Sequence, residues 1–141
     1  QQLINLLAQI EKRIQEENAR PRKRYVSPST QEASFARYYD LLRRKIEAKG
    51  TLDFPQSQGQ KLYGSLIMVI TIDTRGQVIS ADISQGSGNP LLDFHAKQIV
   101  RNAGPYGAFS DAMRREMDQL ALVTRFSFDH NNTLQTTLQG E

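Results

Sequence analysis

The residues between Tyr63 and Asp73 constrain the fold more than any other part of the chain. Leu66, Met68, Ile70 and Ile72 fall on one face of an extended strand, and Ile67, Val69 and Thr71 on the other. A strand that is apolar on both faces belongs inside a sheet rather than on its rim. Asp73-Thr74-Arg75-Gly76 then reads as a tight turn in which Gly76 can take a positive φ. Val78 to Ser84 returns as a second strand, with Ile79, Ala81 and Ile83 sharing a face. The spacing predicts a β-hairpin.

Helical periodicity flanks the hairpin. Residues 1 to about 18 carry Leu3, Leu7, Ile10 and Ile14 at 4-3-4 spacing, widened by Ile4 and Leu6, with charge on the opposite side. Two heptads are too few to establish a coiled coil. Residues 19–28 combine two prolines with Arg20, Arg22, Lys23 and Arg24, and read as an extended, solvated, basic linker. Ser29 and Glu32 have capping-box spacing. Phe35, Tyr38, Tyr39, Leu42 and Ile46 then form a helical stripe, with Gly50 as the expected C′ residue. Residues 51–62 read as a loop.

Beyond the hairpin, Asn89-Pro90 is an N-cap followed by proline at N1. The inner stripe of the helix it opens is Leu92, His95, Ala96, Ile99, Val100 and Ala103, and Gly104-Pro105 ends it. One helical turn is expected near Met113. Leu120 to Asp129 alternates as the last clear strand, and after a turn at Asn131-Asn132 the residues Thr133 to Leu138 suit a short additional one. The expected fold is α+β: a two-layer sandwich of a small antiparallel sheet, hairpin plus final strand, packed with two helices and preceded by an amphipathic helix.

Composition narrows the chemistry. The 141 residues suit one domain. No apolar run reaches the roughly 18 residues of a membrane span. The first residue is Gln1, so a longer parent chain is expected. With no Cys, thiol catalysis, disulfides and thiolate metal sites are excluded. His95 and His130 are too few for a His-based zinc site, and no metal or other cofactor is expected. A net charge of +3 is modest beside the basic faces of nucleic-acid binders, so no nucleic-acid partner is expected. Gly86-Ser87-Gly88 precedes a helix, but Leu91 stands where a dinucleotide fingerprint needs its third glycine. No nucleophile–base spacing or carboxylate pair stands out, so the chain does not read as an enzyme.

What remains is the last strand. In the expected topology it lies at a sheet edge, where unpaired N–H and C=O groups are either guarded or used to add a partner's strand.

Taken together, several segments resemble the C-terminal domain of TonB energy transducers. They are Leu62-Tyr63-Gly64-Ser65, Asp73-Thr74-Arg75-Gly76-Gln77-Val78, Gln85-Gly86-Ser87-Gly88-Asn89-Pro90-Leu91-Leu92-Asp93 and Ala103-Gly104-Pro105-Tyr106-Gly107-Ala108-Phe109. The likeness runs from about Phe35 to Phe128. Phe54-Pro55 stands where the family has Tyr-Pro, Gly86 replaces a serine, and Ser110 follows Phe109 in place of proline.

The resemblance implies a periplasmic domain, over residues 29–129, of a protein anchored in the inner membrane of a Gram-negative bacterium. Residues 1–18 would end the periplasmic spacer, and residues 130–141 would be a tail. The implied partners are TonB-dependent outer-membrane transporters, and ExbB and ExbD through the preceding N-terminal region. The transporter's TonB box would add as a strand beside Val123, Thr124, Arg125, Phe126, Ser127 and Phe128, near the loop residues Asp53, Phe54 and Pro55, so coupling proton motive force to uptake of siderophores or other cargo. Alternatives are a TolA-like adaptor for another envelope protein, or a dimerising module whose first helix forms a weak homodimer.

Overall fold

The computed structural model describes residues 2–19, 22–26 and 33–139. The Ser29–Glu32 capping box lies outside them. A first helix, α1 (Gln2–Ala19), precedes a short strand, β1 (Lys23–Val26), and a second helix, α2 (Ala33–Leu52). A two-residue ribbon follows, β2 (Gln56–Ser57) with β3 (Gln60–Lys61). The hairpin is β4 (Gly64–Asp73) and β5 (Val78–Gln85). Then come α3 (Pro90–Ala103), α4 (Asp111–Glu116), β6 (Gln119–Phe128) and β7 (Leu134–Leu138). The architecture is the α+β sandwich that the periodicity predicts.

The hairpin forms where local chemistry directs it. The Asp73 carboxylate accepts the N–H groups of Arg75 and Gln77, each at 2.9 Å, and Gly76 has φ +83°. A Cβ at Gly76 would collide with the backbone of Gly107, because Tyr106 and Phe109 hydrogen-bond back to the carbonyls of Gly76 and Thr74. The register between the hairpin strands slips between Thr71 and Ile72, so Ile79 has no cross-strand partner. Ile79 is accordingly exposed, while Ala81, on its predicted face, is buried. Asn89 caps α3 by accepting the Leu91 N–H, with Pro90 at N1 as expected.

One face of β4 is core and the other is only half-buried: Ile67 and Val69 are partly exposed there, and Thr71 is the buried residue of that row. Leu66, Met68, Ile70 and Ile72 are buried toward the helices, with Phe35, Leu42 and Ile46 of α2 and Leu92, Ala96 and Val100 of α3. Tyr38 and Tyr106 are buried too; their hydroxyls donate to the carbonyls of Gly107 and Val100, and burial pushes both phenols well above their ordinary pKa.

Two expectations are corrected here. Gly50 does not end α2, which continues to Leu52. The glycine serves packing instead: a Cβ at that position would overlap the side chain of Leu134 in β7. The segment read as a solvated linker contains β1, which joins the sheet and buries Val26. The apolar stripe of α1 is open to solvent at Leu3, Ile4, Leu6, Leu7 and Ile10.

Candidate functional site

Sequence reasoning places the last core strand, β6, at the edge of the sheet. The structure places it inside. One side of β6 pairs antiparallel with β4 along its whole length, Gly64 opposite Phe128 through Asp73 opposite Gln119. The other side is shared by two short strands. β1 runs parallel to Gln119–Leu122, and β7 runs antiparallel to Thr124–Phe128. Val123 falls between them, and its carbonyl accepts the Gln139 N–H at 2.6 Å.

Main-chain groups alternate across β6. Gln119 donates to Arg22, Val123 accepts from Gln139, and Asp129 donates to Thr133. Odd-numbered residues therefore turn their N–H and C=O groups to the outer side. Of the predicted docking residues, Val123, Arg125 and Ser127 present the hydrogen-bonding groups. Thr124, Phe126 and Phe128 send buried side chains into the core.

Each covering strand is held by side chains as well as by the ladder. Arg22, just before β1, makes contacts that are distant in sequence. Its backbone N–H and guanidinium bond the Asp118 carboxylate at 2.8–3.1 Å. The guanidinium also donates to the carbonyls of Arg114 and Arg115, each at 2.8 Å, so it satisfies the end of α4. Arg24 pairs with Glu116. The Arg22 hydrogen bonds hold the Asp118 carboxyl below its ordinary value, and the Arg22 guanidinium is raised in return.

A carboxyl whose folded pKa is depressed stabilises the fold at neutral pH and loses that contribution as pH falls through the folded value. An NMR titration is therefore expected to give Asp118 a midpoint below 3.8, its ordinary value. Asp118→Asn should speed amide exchange over Lys23–Val26 at pH 7. An ordinary midpoint, or unchanged exchange, would refute this role of the Arg22–Asp118 pair in holding β1.

β7 is anchored from outside by α2. Thr51 Oγ1 accepts the Leu134 N–H at 3.2 Å. One Glu47 oxygen accepts both the N–H and the hydroxyl of Thr136, at 2.8 and 3.1 Å. The other is bound by Arg43 at 2.9 Å, and Arg43 also holds Asp40. Leu134 and Leu138 are buried, and Gly50 leaves the space that Leu134 fills. In a helix interior alanine is favoured over glycine by about 1 kcal/mol. Here the overlap with Leu134 should win, because overpacking costs about 1–3 kcal/mol. Gly50→Ala is expected to lower the melting temperature and to speed exchange at Thr136; a higher melting temperature would contradict this packing.

The predicted loop residues meet the far end of β6. Phe54 is buried with its ring edge-on to Phe128, 5.7 Å between centroids, and the Lys61 ammonium lies over the Phe54 ring. Pro55 is buried, and its carbonyl accepts the Leu62 N–H. Only Asp53 of the three is exposed, paired with Lys49 at 2.7 Å. Val123 lies at mid-strand, away from this loop, so the predicted strand and loop residues converge at Phe128 and not along the whole edge.

Sequence reasoning missed Tyr63, His130 and Asn132 as a group. The Tyr63 hydroxyl donates to Asn132 at 2.9 Å, and the His130 ring lies 4.0 Å from the Tyr63 ring. Clefts of about 410 and 330 Å³ flank this aromatic cluster, one lined by Thr51–Gln56, Lys61, His95 and Asn132, the other by Tyr63–Ser65 and Ser127–His130. No nearby spacing advertised these contacts, which join residues far apart in the chain. Among the described residues, no group of three or more His, Cys, Asp or Glu could hold a metal ion.

The outer side of β6 is thus closed by two short, separately anchored strands. The family model described as "Gram-negative bacterial TonB protein C-terminal" matches residues 52–128, more than half of the chain. The chain belongs to the TonB C-terminal family. It is a TonB-type periplasmic domain, and the family's theme is energy transduction and transport with outer-membrane transporters as partners. The match begins at the end of α2 and stops with β6, so β1 and β7 both lie outside it. No curated protein and no solved structure gives a significant match to the chain. No helix among the described residues is long and apolar enough to cross a membrane.

Proposed function

We propose that this domain docks the TonB box of outer-membrane transporters by strand addition to the outer side of β6, and that β7 must leave for the box to enter. The observation that carries the reading is the occupation of Thr124–Phe128 by a five-residue strand near the chain's end, held by a few side chains of α2. Such a strand is an intramolecular competitor for the same main-chain groups. Val123, Arg125 and Ser127 would supply the ladder, Phe126 and Phe128 would fix β6 in the core, and Arg125 would pair with an acidic box residue. Asp53, Phe54 and Pro55 would border the far end of the bound strand.

Coupling to proton motive force would run through ExbB and ExbD, acting on a membrane-anchored segment ahead of the domain. Each main-chain bond contributes about 0.5–1.5 kcal/mol net. Strength under load would come from several bonds sharing it, and tolerance of varied boxes from the backbone nature of the contact.

An NMR titration with TonB-box peptides and a scrambled control tests the reading. Box peptides alone should perturb Val123–Phe128 and the Phe54 loop. At the same time Gln135 and Thr137 should lose protection. No binding to a folded domain, or binding with β7 still protected, would refute docking by exchange.

A further inference from the structure

Among the described residues, the Thr124 hydroxyl is the buried side-chain oxygen that has no hydrogen-bond partner. Thr124 is 1% exposed. Along its face of β6 the neighbours are Leu122 and Phe126, and across the sheet they are Met68 of β4 and Leu138 of β7. All four are apolar. A hydroxyl desolvated without a partner weakens the state that buries it.

Those neighbours differ in permanence. Leu122, Phe126 and Met68 belong to the core of the sheet. Leu138 belongs to the strand that the proposed exchange removes. Thr124 and Leu138 face each other as a pair whose main-chain groups point away from one another, the arrangement in which opposed side chains stand closest. A threonine opposite a threonine or serine on neighbouring strands hydrogen-bonds readily.

We propose that Thr124 is a specificity-determining residue for the docked strand. It selects a peptide segment that carries a short hydrogen-bonding side chain, Thr, Ser or Asn, at the register position of Leu138. The inference rests on the docking reading above. It adds that the resident strand is mismatched at this one position, so a matched incoming strand gains a bond that the resident cannot make.

The test uses the full chain carrying Glu47→Ala, which loosens β7, with synthetic peptides copying residues 133–139. The residue equivalent to Leu138 is either threonine or the isosteric valine. With Thr124 present, the threonine peptide is expected to bind about fivefold more tightly than the valine peptide, the ratio for one net hydrogen bond. When Thr124→Val is added, the ratio should fall to one or reverse. Without peptide, the Thr124→Val chain should melt higher than its parent.

Equal affinities of the two peptides for both chains would overturn the selection while leaving exchange intact. Failure of either peptide to release β7, read as unchanged protection at Gln135 and Thr137, would overturn the docking reading and the selection with it. A lower melting temperature for Thr124→Val would show that the hydroxyl is satisfied in the free chain and would also refute the proposal.

Discussion

A Glu47→Ala chain is expected to bind a TonB-box peptide at least tenfold more tightly than the wild type while melting at a lower temperature. The two effects share one cause. Glu47 holds β7 through two hydrogen bonds from Thr136, donated to a charged carboxylate. Bonds of that kind are worth about 1.5–3 kcal/mol when well buried, and a Glu47 side chain 23% exposed keeps a good part of that value. If the box needs the edge that β7 covers, its apparent affinity scales with the fraction of molecules in which β7 is away. Weakening the clamp by about 1.4 kcal/mol raises that fraction, and the affinity, tenfold.

Alanine is the informative change. Glutamine still accepts the Thr136 N–H and should fall between wild type and alanine. Arg43 keeps Asp40 as a partner in either variant. Calorimetry with one box peptide, alongside amide exchange at Gln135 and Thr137, reads both halves of the expectation. Faster exchange with unchanged affinity would mean that the box docks elsewhere.

The contrast between what could and could not be read from sequence follows from the range of the interactions. The β4–β5 turn and the start of α3 were legible because their determinants are neighbours: Asp73 bonds residues two and four positions on, and Asn89 bonds Leu91. β7 was legible as a short strand because Leu134, Thr136 and Leu138 alternate inward. Its place along the outer side of β6 was not, since that depends on Glu47 and Thr51, more than eighty residues away.

β1 was hidden for a different reason. It lies in a basic segment between Pro21 and Pro28 and is half basic itself, so composition reads as solvated linker; of its four residues Val26 is the buried one. What recruits it is main-chain pairing, burial of Val26 and the Arg22–Asp118 pair, 96 residues apart. Gly50 misled because glycine near a helix end usually terminates it. Here the glycine is small to admit Leu134. In the candidate site, alternation marks β6 as a strand and the family resemblance points to its docking residues, whereas Tyr63, His130 and Asn132 meet only when loops from different parts of the chain are folded together.

Val123→Pro is expected to abolish box binding in a domain that still folds. The odd-numbered residues of β6 turn their main-chain groups outward, so the proline deletes a donor on the docking side and leaves the ladder to β4 intact. Proline also biases the preceding residue to extended backbone, and Leu122 is already extended within β6. In the free chain the loss should be confined to the end of β1: Val123 sits in the gap between β1 and β7, its carbonyl keeps the Gln139 N–H, and the parallel Val26–Leu122 register sets the deleted donor against Val26. A docked strand that crosses this gap would need the missing donor and would meet the proline ring in its path. An affinity loss beyond tenfold, with a wild-type-like spectrum from β4 and β5, is the expected outcome. Retained affinity would move the docked strand off this part of β6, and β5, which forms the sheet's opposite edge, would become the strand to test.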